Sequence, residues 1–260
     1  MFPKEPRGNS LILELSLFIG WFNPLQNKLS GRQTSMGVIA LNCLNLPPHL
    51  RYQPNFTYLY GIIPGPNQPN IFKISSILGP LFNELLESNR GITICTPKYP
   101  QECKVIVKLA ASIGDVFATH KVEGFMSHSA NRFCTWFDIK INQKQELKLG
   151  RCQYGRDVCH TSFDYCQLES CTKKEKLAKK TGIHWSELNF LPYWNPLLNV
   201  TLGVMHNWFE GVLQHHFNYQ WGFSGNSARQ NDSSVSNSNS DSEEIINLKM
   251  SFFPIPTRRG

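Results

Sequence analysis

LILELSLFIGWF (11–22), SMGVIALNCLNL (35–46) and FTYLYGII (56–63) decide the fold class. Each is a short apolar run closed by a turn: Asn23-Pro24, Pro47-Pro48 and Pro64-Gly65-Pro66. Apolar runs of this length, bounded by Pro, Gly and Asn, read as buried strands. The first run is too short for a bilayer span and carries Glu14, so it is a strand rather than a membrane helix. A polar loop over 26–34 joins the first two, and three sequential strands in one meander are predicted.

Downstream, IFKISSILGPLFNELLESNR (71–90) places Ile71, Ile74, Ile77, Leu78, Leu81 and Leu85 at helical spacing. Gly79-Pro80 is expected to kink this helix or split it, and Gly91 to stop it. CKVIVKLAASI (103–113) is a further strand, ending at Gly114-Asp115. The residues from Val116 to Val122 then begin a helix with Asp115 at or near its N-cap. The order is therefore strand, strand, strand, helix, strand, helix.

The stretch 127–181 differs. It is rich in Cys, Gln and charge, has weak periodicity, and reads as an insertion with little core of its own. KKEKLAKK (173–180) is a basic helical run with a solvated face. The segments 185–193 and 204–217 look helical, the latter amphipathic through Met205, Trp208, Phe209, Val212 and Leu213. From residue 223 the chain is rich in Ser, Asn and Asp; such a tail buries too little apolar surface to offset its ordering entropy. The organisation expected is a leader (1–10), a first core part (11–126), the insertion (127–181), a helical remainder (182–222) and a disordered tail (223–260).

The net charge of +7 favours polyanionic partners, nucleic acid first. The opening MFPKEPRGNS has no apolar run of the signal-peptide kind, so a nuclear or cytoplasmic setting without a membrane partner is expected. In that setting the 8 cysteines are more suited to metal or simple burial than to disulfides.

Several strings carry a family resemblance: FIGWFNPLQNKLSG (18–31), CLNLPPHLRY (43–52), GIIPGPNQPN (61–70), SHSANRFC (127–134), GIHWSELNFLPYWNP (182–196) and VMHNWFEGVLQHH (204–216). In this order they resemble the catalytic region of CACTA-type (En/Spm-like) transposases, especially the fungal group. The element order above is that of a ribonuclease H-like α/β fold, a mixed sheet flanked by helices with the fourth strand beside the first. The resemblance implies the same fold.

It also implies a chemistry. Transposases of this kind cleave and transfer phosphodiesters with two divalent ions, Mg²⁺ or Mn²⁺, held by carboxylates a few ångströms apart. Asp115 matches the second carboxylate position; as a residue type it equally suits a helix N-cap. The family carries Asp directly before the WFNP-like string, where this chain has Gly20, and Asp in a D-x-x-H motif, where it has Gly203 before His206. Glu14, six residues upstream of Gly20, lies about 20 Å away along a strand. Glu210 is the nearest later acid on a helix, and Glu243-Glu244 falls in the tail. The resemblance thus implies a truncated, degenerate copy unable to carry out metal-dependent cleavage. Two alternatives stand beside it: a working Mg²⁺-dependent nuclease using Asp115, Glu210 and an unassigned acid, and a domesticated DNA- or protein-binding module.

A zinc element is the other metal candidate. The family shows SH…FC-x-x-C; here Ser127-His128 and Phe133-Cys134 persist, and Phe137 replaces the second Cys. His128, Cys134, Cys159 and His160 are candidate Zn²⁺ ligands, with Cys152, Cys166 and Cys171 nearby in sequence, though none is spaced as C-x-x-C. His215-His216 reads as a surface pair. For DNA contact the candidates are Lys28, Arg32, Lys104 and Arg132. Trp21, Phe22, Tyr52, Tyr58, Tyr60 and Trp136 could stack on bases, but core packing explains most of them.

Overall fold

A computed structural model describes residues 10–24, 35–97, 99–146 and 150–221. The expected leader (Ser10 aside), the 26–34 loop and the 223–260 tail lie outside these, as do Lys28 and Arg32. The chain divides into two compact units at Gly203/Val204.

In the first unit, β1 (Ser10–Phe22), β2 (Met36–Cys43) and β3 (Thr57–Ile63) form the antiparallel meander. The short helix α1 (Pro48–Arg51) starts at the Pro-Pro pair, since proline suits a first helical turn. Along β1 the side chains alternate. Leu17 and Ile19 are buried, while Glu14 and Phe18 are exposed on the other face.

Helix α2 (Ile71–Arg90) lays Ile74, Leu78, Leu81, Phe82 and Leu85 against the buried face. Each such side chain contributes roughly 1.5–3 kcal/mol through area removed from water. Asn70 caps the helix by accepting the Lys73 N–H at 3.0 Å, and Gly91, at φ 101°, ends it. Of the kink or split expected at Gly79-Pro80, the split does not occur: the helix runs unbroken through Pro80. Pro80 lies on the exposed side, and the buried stripe continues on both sides of it. Tertiary packing therefore outweighs the one backbone bond that proline removes.

The chain returns through a strand the sequence reading did not include. ITICT forms β4 (Ile92–Thr96), an antiparallel hairpin partner of β5 (Tyr99–Gly114). Strand β5 runs parallel to β1 on its other edge. The last residues of β5 pair in parallel with β8 (Val200–Leu202). The six-stranded mixed sheet thus has the order β3-β2-β1-β5-β4, with β8 also on β5. Between β4 and β8 the edge of β5 is closed by side chains. Leu109 N–H donates to the Tyr193 hydroxyl at 3.0 Å, and Asn199 Nδ2 donates to the Ala110 carbonyl at 2.7 Å. These bonds satisfy backbone groups that burial would otherwise leave costly. Helix α3 (Val116–Glu123) follows β5 and ends at Gly124 in the left-handed conformation.

The insertion holds a two-residue hairpin, β6 (Phe137–Asp138) with β7 (Arg151–Cys152), then α4 (Gly155–Gln167) and α5 (Cys171–Thr181). Few of its side chains are buried: Val158 joins Phe125 and Ile183 in a small cluster, and Tyr165 and Ala178 are the other apolar ones. The basic residues of α5 are exposed or half-buried. The expected helix over 185–193 is only a 3₁₀ turn, Glu187–Phe190. Leu191 precedes Pro192, which disfavours its helical conformation. The second unit carries a helix from Val204, with wide π-type turns over Met205–Leu213 and His216–Gln220. Among the described residues no helix is long and apolar enough to cross a membrane.

Candidate functional site

The strand register gathers three positions. Phe18 pairs with Ile113, and Ile113 with Thr201. One step on, Gly203 N–H donates to the Gly114 carbonyl at 2.7 Å, and a Cβ on Gly114 would sit 3.0 Å from the Ile19 carbonyl oxygen. Two steps past Phe18, Ile113 and Thr201 are Gly20, Asp115 and Gly203. The pairing of β1 with β5 ends at Phe18–Ile113 and that of β5 with β8 at Gly114–Leu202, so Gly20, Asp115 and Gly203 follow just past the last paired residues of three neighbouring parallel strands. Adjacent strands are about 4.8 Å apart. The carboxyl ends of parallel strands are also where open α/β sheets take their ligands.

Of the three, only Asp115 has a carboxylate. Its Oδ1 accepts the Ala118 N–H at 2.7 Å, and Thr119 Oγ1 donates to its carbonyl at 2.8 Å. The side chain caps α3, satisfying a backbone donor that the helix start leaves open. Burial lowers the Lys121 ammonium pKa, and the Asp115 charge raises it in part.

Neither glycine is required by its backbone, since neither has a positive φ. At Gly20 an ideal Cβ would lie 2.8 Å from Phe18 Cζ, so the tip of the Phe18 ring is folded over this position. At Gly203 the nearest atom to a Cβ is the Gly114 oxygen at 3.4 Å, an ordinary contact. Glu14 stays six residues up β1, exposed and opposite Lys108. Glu210 belongs to the second unit, where its Oε2 meets His206 Nδ1 at 2.7 Å. At these positions, then, stand one carboxylate engaged in capping and one phenyl ring. This donor set does not fit a two-ion Mg²⁺ or Mn²⁺ centre.

One buried acid escaped the sequence reading. Glu123, in the last turn of α3, is 3% exposed. Burial pushes its carboxyl up to about 8; Ser112 and Trp194 are near enough to lower it only in part. Neither Glu123 oxygen has a hydrogen bond of good geometry, and Trp194 Nε1 is likewise unpartnered. A glutamate before a helix-ending glycine ordinarily faces solvent, so no local signal marks its burial.

The remaining candidates are dispersed. His128 Nδ1 lies 3.3 Å from Ser127 Oγ, and its ring meets Phe117 edge-on at 4.4 Å. Cys134 precedes the small hairpin. Cys159 and His160 are consecutive on α4 and so point to different faces. Cys159 Sγ reaches Asn189 Oδ1 at 3.9 Å, and burial raises its thiol pKa; His160 Nδ1 pairs with Asp164 at 3.2 Å. None of the eight cysteines is in a disulfide. Among the described residues, no three His, Cys, Asp or Glu side chains come together as metal ligands. Lys104 is exposed on β5, whereas Arg132, in the insertion, is paired with Asp138. No protein-family model matches the chain, and no curated protein matches its sequence.

Proposed function

We propose that this chain is a degenerate transposase-derived protein, similar to the catalytic domain of CACTA-type transposases, whose ribonuclease H-like scaffold no longer cuts DNA. One observation carries the reading. Gly20, Asp115 and Gly203, two of them where the resemblance implies lost aspartates, follow just past the last paired residues of three neighbouring parallel strands. Strings nearly two hundred residues apart would not end on neighbouring strands by resemblance of short motifs alone. The strand order β3-β2-β1-β5-β8, with β1, β5 and β8 parallel, supports the ribonuclease H-like assignment. The β4 hairpin arm is an addition to it. The role left to such a scaffold is charge-driven association with DNA, consistent with a net charge of +7.

The test is nicking of supercoiled plasmid in Mn²⁺, with calorimetric Mn²⁺ titration in parallel. The chain itself should leave the plasmid intact. The Gly20→Asp/Gly203→Asp double variant should bind Mn²⁺ about tenfold more tightly, because three carboxylates then stand at these strand ends. EDTA-sensitive nicking by the unaltered chain would overturn the loss of catalysis. Equal Mn²⁺ affinity in the two proteins would overturn the placement of the site.

A further inference from the structure

A concavity lies beside α3, lined by the start of α2 and by residues of the insertion. It is a cavity of about 420 Å³, bounded by the start of α2, by α3 and the residues after it, and by α4 and α5. That volume is in the range of small-molecule sites, roughly 300–1,000 Å³. Its walls are mainly flat rings. Phe117 and His120 come from α3, Phe72 from α2, Tyr165 from α4, and His184 from the segment after α5. Phe72 and Phe117 are 64% and 56% exposed, which is unusual for phenylalanines on two different helices lining one opening.

The polar groups in this wall are few and specific. His184 is held neutral, its imidazole pushed down to about 4 by burial, and its Nε2 lies 2.9 Å from the Phe125 carbonyl. His120 is 6% exposed, and its Nε2 is 3.2 Å from Thr135 Oγ1. Its Nδ1 is buried without a partner of good geometry. The backbone at Met126 raises its pKa only partly against the lowering by burial. A buried, unpaired imidazole nitrogen calls for a partner. Lys121 and Lys179 border the same cavity. Lys179 is tied to Glu175 at 3.5 Å, and Lys121 donates to Gln68 Oε1 at 2.7 Å.

A ligand matched to this site is flat, aromatic, carries a hydrogen-bonding edge, and has an anionic group beside the ring. We propose that the cavity takes one unpaired base of a polynucleotide strand, its ring against Phe117, its polar edge at His120 Nδ1 and its phosphate at Lys121. This rests on the reading of the core as a DNA-associated scaffold. Aromatic faces accept any base, so the site selects unpaired strand rather than sequence. Phe117 and Phe72 then have a reason to be exposed.

The experiment uses the full chain and a short single strand bearing 2-aminopurine at one position, compared with the same strand carrying an abasic site there. Binding should change the 2-aminopurine fluorescence. The abasic strand should bind about tenfold more weakly, the scale of stacking one base on an aromatic ring. Phe117→Ala, at an exposed position that the core does not need, should cost the 2-aminopurine strand a similar factor and the abasic strand nothing. If both strands bind equally, or Phe117→Ala leaves the fluorescence change intact, the cavity proposal is overturned and DNA association stands. If neither strand binds at low salt, DNA association fails and takes this proposal with it.

Discussion

The interior of the sheet and the ends of its central strands lie a few residues apart and obey different rules. Leu17 and Leu109, on β1 and β5, are 0% exposed and face α2 and the 3₁₀ turn that holds Leu188. Three residues beyond Leu17 is Gly20, and beyond β8 is Gly203, where side chains are missing and the backbone asks for none. The interior keeps its residues because each removal would leave a cavity. At the strand ends the constraint is weaker: a Cβ on Gly203 would meet only an ordinary contact, and one on Gly20 only the tip of the Phe18 ring. On the proposed reading, framework and chemistry are carried by different residues, so a cutting site could be lost while the sheet is kept.

The contrast can be broken most directly by Leu109→Ala. Truncation at this fully buried site should cost about 2–5 kcal/mol, read as a shift of the denaturant midpoint. A loss below about 1 kcal/mol would mean that the interior is looser than its burial implies.

Glu123→Gln probes a buried exception. The Glu123 carboxyl moves from an ordinary value of 4.5 to about 8 in the folded chain. A raised carboxyl favours the folded state fully below about 4.5, and that contribution is lost as pH climbs through about 8. Stability should therefore fall between pH 5 and 9, on the order of a few kcal/mol, and Glu123→Gln should flatten this slope. A slope unchanged in the variant would show that another group sets it.

Smaller effects belong to the strand ends. Asp115→Ala should cost about 0.5–2 kcal/mol through the lost cap, while Asp115→Asn keeps the cap and most of that stability. Gly203→Asp should change thermal stability by less than about 0.5 kcal/mol, since its Cβ meets only an ordinary contact. If Gly203→Asp proved as damaging as Leu109→Ala, the separation of framework from chemistry would be wrong.

Much of the framework was legible before any coordinates. The short apolar run of 11–22, the turn residues after each run, and the apolar stripe of 71–90 are local signals that survive folding. Asp115 as an N-cap was legible for the same reason, because a cap acts within three residues. The misses fall where distant contacts decide. Strand β4 is the exception: ITICT is a short β-branched run between Gly91 and Pro97, a local signal that the reading passed over. Helix α2 survives Pro80 because the sheet holds its buried stripe. The 185–193 segment gives up a helix so that Leu188, Leu191 and Trp194 can reach the core.

The sequence by itself determined the three-strand meander, the 71–90 helix, the strand and capped helix around Asp115, and the absence of acids at positions 20 and 203, because these depend on residue type and near neighbours. Only the tertiary structure decided that the strands leading to Gly20, Asp115 and Gly203 run parallel side by side, that Phe18 leans over the first of these residues, and that Glu123 is sealed from water. Strand pairing and burial join residues far apart along the chain, and no local pattern encodes which of them will meet.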